Sequence, residues 1–443
     1  MVGVTFLISV FFSALVLVLR PGAAIGIVIM SNLLWPTYLR IPLGIAQMSA
    51  ARIVVLVLLI RLLVRPYGKG IRLNWLDILI IAGFIWDIVA NVAAGADNTQ
   101  LVYLVGRTQD TILVYFAARL SLRKSSDYKA MVVPLVICGV FLGIVGALES
   151  ITTRSIYEPL QVYNEFVWIE KEPDYRLGLL RAEGSSTHYI FWGLSMFMVT
   201  GFLFSLRDLY LDQDSEGKKS KKWLWWGGVI GSIIGVLSSL SSGPIGALFV
   251  LLVSSSFYYV RPLIKPVVWS LVILAILIDI FSNRRFYHLV DYLALSSTTA
   301  WYRTKLLEVA VRQLPEYWLF GFGGVRPDHW GKLVDGRNHV DPVNNYVIVA
   351  LNGGLMGFIL FFWTQIVVLW RSIRLWKYGP KEMRIYAFSQ GCLLIALMMG
   401  SMSAGLFSSV LSFSYILYGS IPNVKKHEYA QVKTKTEELM VNG

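Results

Sequence analysis

The stretch Ala130-Met-Val-Val-Pro-Leu-Val-Ile-Cys-Gly-Val-Phe-Leu-Gly-Ile-Val-Gly-Ala-Leu-Glu149-Ser150 runs for nineteen residues before its first charge. At about 1.5 Å per residue, a helix of that length crosses about 30 Å of hydrocarbon. Comparable runs recur along the whole chain. Reading outward from this one, the candidate spans are 4–19, 22–36, 42–64, 76–95, 100–118, 130–150, 188–206, 224–240, 245–260, 266–282, 344–370, 385–403 and 405–421. The first two are short, so the count is twelve or thirteen. The expected fold is all-α: one integral membrane domain over residues 1–443, a polytopic bundle of 12–13 transmembrane helices with two long outward-facing loops.

Composition agrees. Hydrophobic residues make up 56% of the 443-residue chain and charged residues only 15%, and mean hydropathy is +0.61. Soluble domains carry about a quarter charged residues, so this chain could not hide its apolar surface in water. An outer-membrane barrel would show short alternating strands, and none is visible. The formal charge of +13 reads as Lys and Arg retained in inner loops rather than as a nucleic-acid footprint. Cys138 and Cys392 lie inside apolar runs, which points to neither a disulfide framework nor a zinc site. No basic residue precedes the first apolar run, so it is expected to be a retained span rather than a cleaved leader.

Short connections give the expected orientation. Arg61, Arg65, Lys69 and Arg72 share one connection. Arg119, Arg123, Lys124 and Lys129 share another, and Arg371, Arg374, Lys377, Lys381 and Arg384 a third. The lysines of 218–222 and the 424–443 tail fall on the same side. By the positive-inside rule that side is cytoplasmic. Two long connections, 151–187 and 283–343, then face outward. Both are rich in aromatics and long enough to be functional.

The first outward loop ends Arg176-Leu-Gly-Leu-Leu-Arg181-Ala-Glu183-Gly-Ser-Ser-Thr-His188-Tyr. Arginine suits a diphosphate because its planar fork stays charged and offers paired donors. These arginines could equally pair with neighbouring glutamates at the interface. Ser238 through Gly246, including Ser242, offers hydroxyls and amides at a helix start, a modest anion site or simply a tight helical hairpin. The second loop holds Arg284 and Arg285, then an expected amphipathic helix over about 300–314 with Arg303 near its start. Gly321-Phe-Gly323-Gly324 follows, with no strand ahead of it to suggest a nucleotide loop. Arg337-Asn-His339-Val-Asp341-Pro-Val-Asn344-Asn345-Tyr346 leads into the next span. His339 and Asp341 are candidate general bases; Asp341-Pro342 also reads as a helix cap and start. No metal-ligand pattern or cofactor motif is present, so cationic side chains are expected to carry the site.

In combination these motifs resemble the O-antigen polymerase and ligase-like membrane proteins, glycosyltransferases of the GT-C type that use polyprenyl-diphosphate sugars. Four stretches match in order across about residues 176–360: Arg181 to His188-Tyr-Ile-Phe-Trp-Gly193, Ser241-Ser-Gly-Pro244, Trp301-Tyr-Arg303 with Trp318-Leu-Phe-Gly-Phe-Gly323, and Asp341-Pro-Val-Asn344-Asn-Tyr346 with Gly353-Gly354. The resemblance implies inverting, metal-independent transfer of a sugar chain from an undecaprenyl-diphosphate-linked oligosaccharide to an acceptor hydroxyl. It implies a lipid bilayer setting, the bacterial inner (cytoplasmic) membrane with the two long loops periplasmic or extracellular, no cofactor and no nucleic acid, with a chain-length regulator or flippase as partner. By carry-over Arg181 and Arg303 hold the diphosphate, assisted by Arg176 or Arg285. His188, Ser242, Asn344, Asn345 and Tyr346 would bind substrate or acceptor. Many ligase-type relatives carry a His where this chain has Val343, so the base falls to His339, Asp341 or Glu183. That departure favours a repeat-unit polymerase of a surface polysaccharide over a ligase. A transporter of the same lipids would call for internal repeats and mid-membrane charges. Asp87, Arg107 and Asp110 are the main candidates for such charges, and no repeat is visible.

Overall fold

The computed structural model describes residues 1–44, 46–67, 73–164, 173–211, 218–281, 297–325 and 327–422. Arg284 and Arg285, the 165–172 stretch of the first long loop and the 424–443 tail lie outside the described residues.

Helix accounts for 76% of the structure. The chain opens with α1 (Val2–Val18), α2 (Pro21–Leu34), a hairpin of β1 (Arg40–Leu43) and β2 (Ala46–Ser49), and α3 (Ala50–Val64). Next come α4 (Trp75–Ala93), α5 (Asn98–Thr108), a π-helical turn (Gln109–Leu113), α6 (Val114–Ser121), α7 (Ser125–Thr152) and α8 (Glu158–Gln161). A second small hairpin, β3 (Tyr175–Arg176) with β4 (Leu179–Leu180), leads to α9 (Tyr189–Tyr210), α10 (Lys218–Ser238), α11 (Ser242–Ser256) and α12 (Ile264–Phe281). The second long loop carries α13 (Ser297–Arg312), α14 (Leu314–Tyr317) and α15 (Gly331–Val334). The chain closes with α16 (Asn345–Tyr378), α17 (Lys381–Ser401) and α18 (Ser408–Gly419).

The protein is an all-α membrane protein. Among the described residues α4, α7, α9, α16 and α17 are long and apolar enough to cross a bilayer, and α11 with the start of α12 forms a sixth, sharply bent candidate. α1 and α2 are shorter apolar helices. Several spans expected from the sequence depart from a plain helix for identifiable reasons. The 42–64 run begins as a hairpin, in register Arg40↔Ser49 to Leu43↔Ala46. Pro42 and Gly44 break helix there, and Ser49 then caps α3 by accepting the Arg52 amide. The 100–118 run is interrupted by its π turn.

Two helices approach more closely than side chains ordinarily allow. α7 runs beside α10 with Gly139 and Gly143 against the backbones of Gly228 and Gly231, where a methyl group would overlap the facing carbonyls. Lipid tails are as apolar as leucine, so helix pairs inside a membrane gain from close backbone packing at small residues. Most of the buried apolar side chains form one continuous core through the bundle. A second, smaller core around Leu306, Val309, Tyr317, Trp330 and Val340 belongs to the second long loop and rests on Val347 and Leu351 of α16.

Polar contacts gather at the two ends of the bundle. At one end lie the basic connections: Asp77, fully buried, pairs with Arg119 and accepts from the Tyr115 hydroxyl at 2.6 Å. Arg371 reaches across to Asn74 at the same end. At the other end both long loops converge, tied to the bundle by Tyr157 to the Leu34 carbonyl (3.2 Å) and Asn345 Oδ1 to the Leu406 amide (2.9 Å). There α16 breaks at Gly354, whose φ of 64° and ψ of −166° leave the helix. The groups freed by the break are taken up by neighbours. Trp86 Nε1 donates to the Gly353 carbonyl at 2.7 Å, the Leu355 amide donates to Trp318 at 2.7 Å, and the Phe322 amide donates to Leu351 at 2.5 Å. Non-helical backbone at such a depth survives only when it is buried and satisfied in this way.

Candidate functional site

The site begins with a tight turn. Leu177 and Gly178 both adopt positive φ, 55° and 79°, and fold β3 back onto β4 so that Arg176 and Arg181 leave one hairpin toward the end of α10. Positive φ at both central residues matches the twist of a two-residue hairpin turn, and glycine supplies the second of them without strain. The last carbonyls of α10 have no helical partners, and this loop provides them. The Ala182 amide donates to Ser238 at 3.0 Å, Arg181 Nε to Ser239 at 3.3 Å, and an Arg176 guanidinium nitrogen to Leu240 at 2.9 Å. Two cations thus sit at the negative end of a helix dipole.

Downstream, the Glu149 carboxylate accepts from the Glu183 and Gly184 amides, both at 3.0 Å. Ser185 Oγ donates to the Leu33 carbonyl at 2.5 Å. The loop is therefore bolted to the ends of α2, α7 and α10 before it enters α9.

Arg181 is held on three sides. It pairs with Asp174 at 2.7 Å, bonds Ser239, and lies 3.3 Å above the ring of Tyr189. Arg303 comes from the first turns of α13, on the other long loop, and is only 8% exposed. Its Nε has no hydrogen-bond partner among the described residues. The groups that act on it electrostatically are Arg176, Tyr189 and Arg181. Burial, followed by the charges of Arg176 and Arg181, holds the Arg303 guanidinium below the usual arginine range. Burial lowers Arg181 too, with Tyr189 and Asp174 opposing and Arg176 adding to the effect. Counting Arg176, Arg181 and Arg303 against Asp174 and the neighbouring Glu183, the cluster carries a net charge of +1. A buried cation among like charges is costly unless an anion joins it.

Other expected site residues fall around this cluster in different ways. Glu183 is half-buried beside it, and its charge acts on both Tyr189 and Tyr38. Tyr38 is 6% exposed and its hydroxyl has no partner among the described residues; burial, with Glu183 adding, pushes it up to about 12. Asp341 lies exposed at the rim, its backbone clamped by the Tyr302 hydroxyl, which accepts from the Asp341 amide at 2.9 Å and donates to its carbonyl at 3.1 Å. His339 is exposed, one residue before buried Val340.

Several polar motif residues do architectural work. Asn344, rather than Asp341, caps α16, accepting the Tyr346 and Val347 amides at 2.9 and 3.4 Å. His188 Nδ1 caps α9 by accepting the Ile190 amide at 3.1 Å, and the ring lies against Tyr189. Asn345 holds the 402–407 connection, and the Tyr346 hydroxyl donates to Gln365 at 3.2 Å. Ser242 is the first residue of α11, two positions beyond the carbonyl that holds Arg176. Arg285 lies outside the described residues. The sequence reading missed Asp174, Tyr189, Tyr302 and Tyr38. For Asp174 a signal existed: the Gly178 turn places it across from Arg181. The chain matches no protein-family model and no curated protein, so its chemistry is read from these residues alone.

Proposed function

We propose that this protein is a membrane glycosyltransferase that moves a sugar chain from a polyprenyl diphosphate to an acceptor hydroxyl, building a bacterial surface polysaccharide by repeat-unit polymerisation. One observation carries the reading: buried Arg303, whose Nε has no partner among the described residues, lies within electrostatic reach of Arg176 and Arg181 from the opposite loop. Three guanidiniums against two carboxylates, one of them already paired with Arg181, leave positive charge that suits an anionic headgroup such as a diphosphate.

In this reading the acceptor oxygen attacks the anomeric carbon from the face opposite the leaving group, and the bond from that carbon to the diphosphate oxygen breaks. The electron pair stays on the diphosphate, where negative charge develops against Arg303 and Arg181. Fixed donors aimed at developing charge lower the barrier because they need no reorganisation. The acceptor proton passes to a carboxylate. Glu183, which shares the neighbour Tyr189 with Arg181, is the first candidate, with Asp341 at the rim as the alternative.

Purified protein in bilayers, supplied with a lipid-linked repeat unit, is expected to yield a ladder of longer chains, and Arg303→Ala to abolish it. A single-step product on a different acceptor would assign a ligase instead. Unchanged turnover in both Arg303→Ala and Arg181→Ala would remove the diphosphate reading.

A further inference from the structure

The seam between α7 and α10 leads to the arginine cluster. Small residues bring the two backbones together there. Beside that contact the seam opens an apolar groove of about 330 Å³, walled by Val140, Ile144 and Leu148 of α7 and by Gly227, Ile230 and Ile234 of α10. Its upper rim, at Leu148 and Ile234, lies within about one helical turn of Ser150 and Ser238, at ~1.5 Å per residue. Ser150 Oγ donates to the Ser238 carbonyl at 3.0 Å and closes the seam at that height. The carbonyls of the next two residues, Ser239 and Leu240 in the turn just past that helix, are those that hold Arg181 and Arg176. Beside them the hairpin exposes Leu177, 88% accessible, between its two arginines.

We infer that the α7/α10 groove seats the lipid tail of the donor, with its first isoprenoid units between Leu148 and Ile234 and its diphosphate on Arg176, Arg181 and Arg303. The inference rests on reading the arginines as a diphosphate site. In a polyprenyl diphosphate the chain is bonded directly to the headgroup, so a headgroup at the end of α10 obliges the first carbons to descend alongside it. The groove is an apolar channel in the described structure that starts at this height and follows the same helix. Its walls offer carbon surface and almost no polar atoms, which suits a branched hydrocarbon and leaves specificity to the head. At Gly227 a Cβ would have only Val140 Cγ2 nearby, at 3.6 Å, so side chains are accepted there without disturbing the helix contact.

The test is photolabelling in nanodiscs with undecaprenyl diphosphate bearing a diazirine on its first isoprenoid units, the labelled peptides being mapped by mass spectrometry. Label is expected within 140–148 and 227–234 of the unmodified protein. Gly227→Phe, which fills the groove, is expected to lower it about tenfold, equivalent to 1.4 kcal/mol of affinity. Gly83→Phe, the same bulk at another open helical glycine on α4, is expected to leave it unchanged. Label on other helices, or label displaced equally well by excess phosphatidylglycerol, overturns the inference and makes the groove an ordinary lipid contact. Inorganic pyrophosphate distinguishes the two levels. If it raises thermal stability in both the unmodified protein and Gly227→Phe while the tail labels elsewhere, the headgroup site stands and the groove assignment fails. If it stabilises neither, the arginine reading fails and takes the groove assignment with it.

Discussion

Arg303→Met separates a binding role from a structural one because the two readings predict opposite signs for stability. Methionine keeps an unbranched apolar stem of similar reach and removes the charge. Arg303 is 8% exposed, its Nε lacks a partner among the described residues, and its electrostatic neighbours include two more arginines. Relieving one buried, unsatisfied donor is worth about 1–3 kcal/mol, and loss of like-charge repulsion acts in the same direction. Arg303→Met is therefore expected to melt higher than the unmodified protein in detergent, followed by intrinsic tryptophan fluorescence. Pyrophosphate should invert the order. At a concentration of one hundred times Kd a ligand adds about 2.7 kcal/mol to the unmodified protein, and Arg303→Met should gain little. Turnover of lipid-linked donor should fall by about 10²–10³, the usual cost of one lost donor to developing charge. Lower stability in Arg303→Met, with activity tracking the folded fraction, would refute the reasoning, because Arg303 would then be satisfied by contacts of the protein itself.

Three further outcomes follow from the scaffold. Asp77→Ala strips the counter-ion from Arg119 and the acceptor from Tyr115 at the basic end of the bundle; breaking a buried pair costs about 3–5 kcal/mol, so folded yield by size-exclusion chromatography should collapse while activity per folded molecule stays level. Gly354→Ala puts a methyl group into the Leu319 backbone at a φ of 64°; with about 1–3 kcal/mol of backbone strain added to that overlap, limited proteolysis within 314–343 should accelerate, and an unaltered cleavage pattern would show that the break is not required. Tyr317 donates to the Ala310 carbonyl at 2.7 Å, and burial pushes its hydroxyl up to about 12. A raised folded-state pKa means its contribution is complete below the unfolded value of about 10 and is lost as pH climbs toward 12. The second-loop core should therefore loosen in that window by hydrogen exchange, and Tyr317→Phe should flatten the response.

The membrane class was legible because it rests on composition and run length, which need no tertiary information. Arg176, Arg181 and Arg303 were legible as residue types suited to phosphate, and the structure brings them together from two loops. What the sequence hid was mostly backbone accounting. Asn344 caps α16 where Asp341-Pro342 looked like the start, because a cap is decided by which side chain reaches the first free amides. His188 reads as chemistry in a motif and acts as a cap on α9. The 42–64 run looks apolar enough to be helix from its first residue, yet Pro42 and Gly44 divert it into a hairpin. Asp174 could be linked to Arg181 only by reading Gly178 as the turn of a hairpin, which its residue type alone does not suggest. These are pairings between residues that periodicity does not relate.

Both hairpin arginines hang from main-chain oxygens of the short turn that ends a single helix, and that fixes a register. Side chains can adjust by rotation, but the carbonyls of Ser239 and Leu240 are placed by every residue of α10 below them. One residue inserted between Ile234 and Ser238 would advance the helix end by about 1.5 Å and turn it by about 100°, swinging both attachment points around the axis while Gly228 and Gly231 stay locked against α7. A single-residue insertion there should therefore act like a vernier slipped by one division. The fold and the lipid-facing wall would remain, and the two cations would be aimed away from Arg303.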